Sequence, residues 1–174
     1  MFPAVRLTGC FPELFGFVLL DPSRLDDALA GDAEGKDLLD LFSTTGHGDD
    51  VARDGVAVPV MGVDAGYYTV TIRHAADPSP GPVPQIASAG WVLGTETGAL
   101  LLTAAGYLRD WQPQHHHHRR LTIPPGWYSV EVRGSLHTHD ADDGTYEFVL
   151  ASTSGQPPFS ARLDHGFGLL DHDR

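Results

Sequence analysis

An eleven-residue pattern occurs twice in this chain, sixty positions apart. The first copy is Val63-Asp64-Ala65-Gly66-Tyr67-Tyr68-Thr69-Val70-Thr71-Ile72-Arg73, and the second is Ile123-Pro124-Pro125-Gly126-Trp127-Tyr128-Ser129-Val130-Glu131-Val132-Arg133. Each reads aliphatic, two spacers, glycine, aromatic, tyrosine, small hydroxyl, valine, any residue, β-branched residue, arginine. A turn followed by an alternating strand has this form, and its recurrence predicts two related β units. Side chains on a strand alternate between faces. Tyr68, Val70 and Ile72, like Tyr128, Val130 and Val132, are therefore expected in the core. Tyr67, Thr69, Thr71 and Arg73 face the other way, as do Trp127, Ser129, Glu131 and Arg133.

The rest of the chain extends this pattern. Phe2 to Leu20 holds one or two short strands, the clearer being Gly16 to Leu20. Asp21-Pro22-Ser23 has an acceptor side chain at a helix cap and proline at the first helical position. Leu25, Leu29, Leu38, Leu39, Leu41 and Phe42 then predict a short helical insertion over about 22–42. Ser43 to Asp54 reads as a loop. Val56 to Val60 is a strand that Pro59 places at an edge or an end. Four prolines between Asp77 and Pro84 make a stiff extended loop. Trp91 to Leu93 and Ala99 to Thr103 read as a hairpin around Gly94 to Gly98. Trp111 to Arg120 is a polar loop, His137 to Gly144 an acidic turn, and Thr145 to Leu150 the strand that pairs back. The tail from Gly155 keeps enough apolar residues, Phe159 and Phe167 among them, to pack partly on the body. Helices do not alternate with strands, which favours an antiparallel β-sandwich over a βαβ fold. The expectation is one domain over 1–174, with repeat units at about 56–103 and 121–150 in two facing sheets.

Charge bounds the partners. The formal net charge is -12, and of eleven basic residues only Lys36 is a lysine. Such a surface repels nucleic acid and anionic lipid and attracts basic protein. Cys10 is the single cysteine, so no internal disulfide forms. In an apolar stretch it is expected to be a small core residue. The apolar run from Phe11 to Leu20 is broken by Pro12, Glu13 and Gly16 and has no basic flank, which argues against a signal peptide or a span. A cytoplasmic location is the resulting expectation.

No catalytic signature stands out. There is no Gly-x-Ser-x-Gly elbow, phosphate loop or Cys-x-x-Cys. Glu96 lacks the second carboxylate that a glycosidase needs. His115 to His118 form a run of four imidazoles, good ligands for zinc, nickel or copper, on one polar loop. His137-Thr138-His139-Asp140 is the sharper metal candidate, with His137, His139 and Asp140 as ligands of a divalent transition metal. It resembles the His-x-His-x-Asp-His run of metallo-β-lactamase-type hydrolases, but Ala141 and Asp142 stand where the last two ligands belong. An acidic β-turn explains the same residues. Trp127 and Tyr67, at equivalent outward positions, are candidate contacts for a partner or a sugar.

The segment Ile123 to Val132, followed by the Tyr-x-Phe-x-Leu strand at Tyr146 to Leu150, resembles bacterial β-sandwich proteins of the competence protein J type, which inhibit a nuclease. Similar segments occur in some immunity proteins. That resemblance implies a small acidic intracellular sandwich that binds another protein. The expected function is therefore a non-enzymatic binding protein for a basic protein, inhibitor-like or immunity-like. Its contacts would come from Trp127, Tyr67, Asp49 and Asp50, with Asp26, Asp27, Asp32, Glu34, Asp37 and Asp40 adding charge. The alternative is a metal-binding protein or metal-dependent hydrolase built on His137 and His139.

Overall fold

Strand Gly16–Leu20 is apolar along its whole length, and Leu100, Leu101 and Leu102 form a second continuous apolar run. Strands like these must be covered on both faces. The computed structural model, which describes residues 1–78, 81–136 and 142–169, meets that demand with three layers. The elements in chain order are β1 (Val5–Cys10), β2 (Gly16–Leu20), α1 (Pro22–Ala28), α2 (Leu38–Thr44), α3 (His47–Arg53), β3 (Ala57–Met61), β4 (Tyr68–His74), β5 (Ile86–Thr95), β6 (Ala99–Ala104), β7 (Arg119–Thr122), β8 (Gly126–Leu136) and β9 (Gly144–Thr153). A short 3-10 turn spans Ala105–Leu108. One sheet has the order β1-β4-β9-β8-β5 and the other β3-β2-β6-β7.

Between the sheets lies the main core. Phe17, Leu19, Leu100 and Leu102 meet Tyr68, Val70, Ile72, Leu93, Tyr128, Val130, Val132, Tyr146 and Phe148. On the other side of the four-stranded sheet, Val18, Leu20 and Leu101 meet Leu25, Leu38, Val51, Leu108 and Trp111. The three helices and the 3-10 turn thus seal its outer face. The architecture is mainly β, two sheets in a sandwich with helices near the N-terminus, as expected from the sequence.

Several details differ from that expectation. The two repeat strands, β4 and β8, do not face each other across the core. Both belong to the five-stranded sheet, with β9 between them. β4 pairs with β9 in parallel, from Tyr68 opposite Gly144 to His74 opposite Leu150, so the sandwich is not purely antiparallel. β5 and β6 are not a hairpin either; they lie in different sheets, and the turn between them arches from one to the other. Residues 47–53, expected in a loop, form α3, whose first turn carries Asp49 and Asp50 and whose inner side buries Val51 and Ala52. Carboxylates in a first turn favour the helix dipole.

What the repeat encodes is a corner. Tyr68 Oη donates to the carbonyl of Asp64 at 2.8 Å, and Tyr128 Oη donates to the carbonyl of Pro124 at 2.5 Å. In both copies the hydroxyl reaches four residues back, closing the turn that starts the strand, a device known from other sandwiches. Val63 and Ile123, the first residues of the pattern, are buried beneath it. Gly66 and Gly126 have φ of +158° and +144°, conformations that side chains rarely adopt.

Two further contacts lock the layers. Asp21 caps α1 through Ser23 N at 2.9 Å and also accepts from Thr95 Oγ1 at 2.6 Å and Thr97 Oγ1 at 3.2 Å in the inter-sheet arch. Burial alone would raise its pKa. The hydrogen bonds from Thr95, Ser23 and Thr97 outweigh burial and hold the carboxyl below its usual range. The tail closes the side between β5 and β3. Phe167 is fully buried and its N–H donates to Met61 O, while Ser160 and Ala161 N–H groups donate to Gly90 O. Gly90 sits at a bulge with φ +90°, and a Cβ there would lie 2.4 Å from Ser160 Oγ.

On the outer face of the five-stranded sheet, Arg73 Nε and Glu147 Oε2 form a buried pair at 2.9 Å. The proline-rich segment passes so close at Gly81 that a Cβ there would lie 2.7 Å from Glu147 Oε1. Removing one partner of such a pair strands a buried charge. We expect Arg73→Leu to destabilise the fold by about 3 kcal/mol, and Glu147→Leu in that background to recover most of it. Tyr128→Phe, which removes only the corner hydroxyl, should cost about 1 kcal/mol. Urea unfolding of the single and double variants measures both effects.

Candidate functional site

Strands β1, β3, β6 and β8 all finish at one end of the sandwich. The loop from β1 to β2 carries an unusual backbone. Leu14 and Phe15 are consecutive non-glycine residues with φ of +57° and +63°. Each such residue costs roughly 1–2 kcal/mol. Hydrogen bonds hold the strained turn in place: Phe15 N–H donates to Pro12 O at 2.7 Å, Gly106 N–H to Glu13 O at 2.9 Å, and Val63 N–H to Phe15 O at 3.0 Å.

The result is an exposed aromatic group. Phe15 is 59% exposed, Tyr67 57% and Phe11 40%. Phe11 and Tyr67 pack ring to ring with centroids 5.4 Å apart. Beside them opens a cleft of about 530 Å³ lined by Cys10, Phe11, Glu13, Tyr67, Tyr107, His116, His117 and Arg119. The backbone of Tyr67 is clamped by Asp143, which accepts from Tyr67 N–H at 2.9 Å and donates its own N–H to Tyr67 O at 2.7 Å. Asp142 Oδ2 accepts from Thr69 Oγ1 at 2.7 Å and from Gly9 N–H at 3.1 Å. Two of the three aspartates of the acidic turn, Asp142 and Asp143, are thus engaged in shaping this end.

The four histidines divide by role. His118 is buried; its Nε2 donates to Gln112 O at 2.8 Å, and its Nδ1 meets Thr103 Oγ1 at 2.8 Å. A carbonyl only accepts, so Nε2 carries the proton and Nδ1 accepts from the Thr103 hydroxyl in the neutral ring. Burial first, then the neighbouring charges of His115, Arg120 and His117, push its pKa down despite the Gln112 bond. His115 and His117 stand against Tyr107 with ring centroids 4.9 and 5.0 Å away, and His115 stacks on His116 at 4.7 Å. Stacked rings hold their nitrogens in near-parallel planes instead of aiming them at one point. Among the described residues no group of three or more His, Cys, Asp or Glu side chains can hold a metal ion. His137, His139 and Asp140 lie outside the described residues.

Cys10 is buried, and desolvation together with Asp142 raises its thiol pKa against the pull of Arg119. The raised value favours the unreactive thiol. Trp127 and Tyr67 do not form one platform. β8 runs opposite to β4, so the residues that open the two strands fall at opposite ends of the sheet. Trp127 is also covered by Arg24, whose guanidinium carbon sits 4.8 Å from the ring centre. Asp26, Asp27, Asp32, Glu34, Asp37, Asp40, Asp49 and Asp50 are all exposed on the helical layer. Asp37 caps α2 through Asp40 N–H at 2.9 Å, and Asp32 pairs with Lys36 at 2.6 Å. Phe11, Phe15 and Glu13 do not stand out in the sequence. Phe11 and Phe15 belong to a short apolar run with no special spacing, and nothing in Leu14-Phe15 announces a left-handed turn.

No helix among the described residues is long and apolar enough to cross a membrane. No family model matches the chain, and no curated protein matches it. Two solved structures are similar. One is "Crocagin biosynthetic gene J", 18% identical, with 84% of this chain and 94% of that chain covered and a TM-score of 0.46. The other is ComJ from Bacillus subtilis, inhibitor of the DNA degrading activity of NucA, 10% identical, with 87% and 96% covered and a TM-score of 0.48. The chain thus bears a weak structural resemblance to proteins of the competence protein J type. At these TM-scores neither likeness assigns a role to any residue.

The His118 environment has a measurable consequence. A histidine whose folded pKa lies below its unfolded value near 6.5 contributes stability that is complete above that value and is lost as pH falls toward the folded pKa. Thermal melts should show stability dropping below about pH 6.5, and a His118→Gln variant should show a shallower drop over the same window.

Proposed function

We propose that this chain is a non-enzymatic protein-binding module whose contact surface is the strained, aromatic end of the sandwich. The observation that carries this reading is the Leu14-Phe15 turn. Backbone strain persists where surrounding structure over-determines it, and it concentrates at functional sites. Here it presents a phenylalanine to solvent at the end of the sandwich that also exposes Phe11 and Tyr67. Exposed aromatics are the usual anchors of protein interfaces, and a cleft of about 530 Å³ next to them can receive a partner's side chain.

Charge selects the partner. Residues 22–54 hold nine carboxylates against Arg24, Lys36 and Arg53, which accounts for half of the chain's net charge of -12. A field of that sign speeds encounter with a basic protein and disfavours nucleic acid. A basic nuclease is the partner class that the sequence resemblance implies, and a cytoplasmic setting belongs to the same reading. The catalytic alternative has less support. Asp21 and His118, two groups whose pKa is lowered, are engaged in hydrogen bonds that hold the fold.

The test is affinity capture from source-cell lysate at low and high salt, with wild type and with a Phe15→Ser/Tyr67→Ser double variant. Both positions are exposed, so thermal stability should hold. Recovery of a basic protein at low salt, weakened by salt and lost in the double variant, is the expected result. Equal capture by the double variant, or none by wild type at low salt, contradicts the reading.

A further inference from the structure

An apolar cavity of about 210 Å³ remains between α2, α3 and the outer face of the four-stranded sheet. Its walls include Leu39, Phe42, Val51, Ala57 and Leu108. Of its lining residues, Ser43 and Asp49 are exposed and mark where it meets solvent. We infer that this cavity receives one apolar side chain of a basic protein partner, a Phe, Leu or Met flanked by Lys or Arg, with Asp49 and Asp50 pairing the flanking cations.

Three observations converge on that occupant. An apolar space left open forfeits the contacts its lining atoms would otherwise make, so filling it is favourable. An engineered cavity of about 150 Å³ holds a benzene ring. The space here therefore admits a benzyl or isobutyl group and is small for a drug-sized ligand. A carboxylate stands at the opening: Asp49 lines it from the first turn of α3, Asp50 follows exposed in the same turn, and Asp40 is exposed in the first turn of α2. An apolar hole with a carboxylate at its mouth, on a helical layer of net negative charge, is complementary to an apolar side chain set among cations, and repels one set among carboxylates. The inference rests on the binding-module reading and adds a second contact for the same partner, on the helical layer instead of the aromatic end.

The test uses the full chain and three synthetic peptides with amidated and acetylated ends: Arg-Gly-Phe-Gly-Arg, the same with Ala for Phe, and the same with Glu for both Arg. Binding is read by NMR titration of backbone amides at low salt. The Phe peptide should bind about tenfold more tightly than the Ala peptide, as expected for burial of one aromatic side chain. The Glu peptide should not bind, and the shifts should centre on Phe42, Asp49 and Ala57. Ala57→Leu, which fills the cavity from the strand beneath it, should abolish the difference between Phe and Ala peptides. If that variant does not fold, Asp49→Lys, at an exposed position, should weaken the Phe peptide at least several-fold at low salt.

Equal binding of the Phe and Ala peptides, or shifts confined to Phe11, Phe15 and Tyr67, overturns the cavity assignment. Either result leaves the aromatic-end reading to stand on lysate capture. Conversely, cavity binding by the Phe peptide together with unchanged capture by the Phe15→Ser/Tyr67→Ser variant moves the contact to the helical layer and overturns the aromatic end alone.

Discussion

A sheet that is apolar on both faces governs this molecule. β2 is buried at every position, and β6 presents Leu100 and Leu102 to one side and Leu101 to the other. Water has to be excluded from both sides, and one partner sheet covers only one of them. The five-stranded sheet takes the inner face and the helical segment takes the outer one. Each buried leucine is worth roughly 1.5–3 kcal/mol, so leaving either face open would exceed the margin by which such a domain is stable. From this follows the position of the acidic segment. With Leu25, Leu38 and Val51 turned inward, the carboxylates between them have only the solvent side to occupy.

The same constraint creates the cavity and frees the ends. Short helices of seven residues each cover a strand surface imperfectly, and the space beneath α2 and α3 is what their side chains leave unfilled. The sandwich ends carry no such obligation, since their strands have stopped and only loops remain. The aromatic end is held by the Tyr68 corner and the Asp142–Asp143 clamp, so its loops can be rigid without being buried. Rigid, exposed aromatics lose little entropy when a partner covers them. That is the physical link between how the fold is closed and where it is best suited to bind.

Local constraints were legible in the sequence, and long-range ones were not. The turn that opens each repeat strand is legible because its pattern is local, whereas the tyrosine back-bond that closes it is seen only in the structure. The inward faces of β4 and β8 followed from alternation, and the Asp21-Pro22-Ser23 cap from its residue types. Which sheet each strand joins depends on partners far along the chain, so the repeat pattern suggests two facing sheets although both copies share one sheet. The parallel β4–β9 pair joins residues 76 positions apart, from Tyr68 to Gly144, and no local pattern announces it. The histidine run shows the same limit at a finer scale. Four identical residues differ only because β7 begins at Arg119, which turns His118 inward beneath Thr103 and leaves His116 and His117 at the surface.

The direct measurement of the central claim is native-state hydrogen exchange. If the four-stranded sheet is sealed on both faces, amides of β2 and β6 should open only with the whole molecule, at the same free energy as those of β8 and β9. The account is contradicted if β2 and β6 exchange at a much lower free energy than β8 and β9, as strands with one face open to water would.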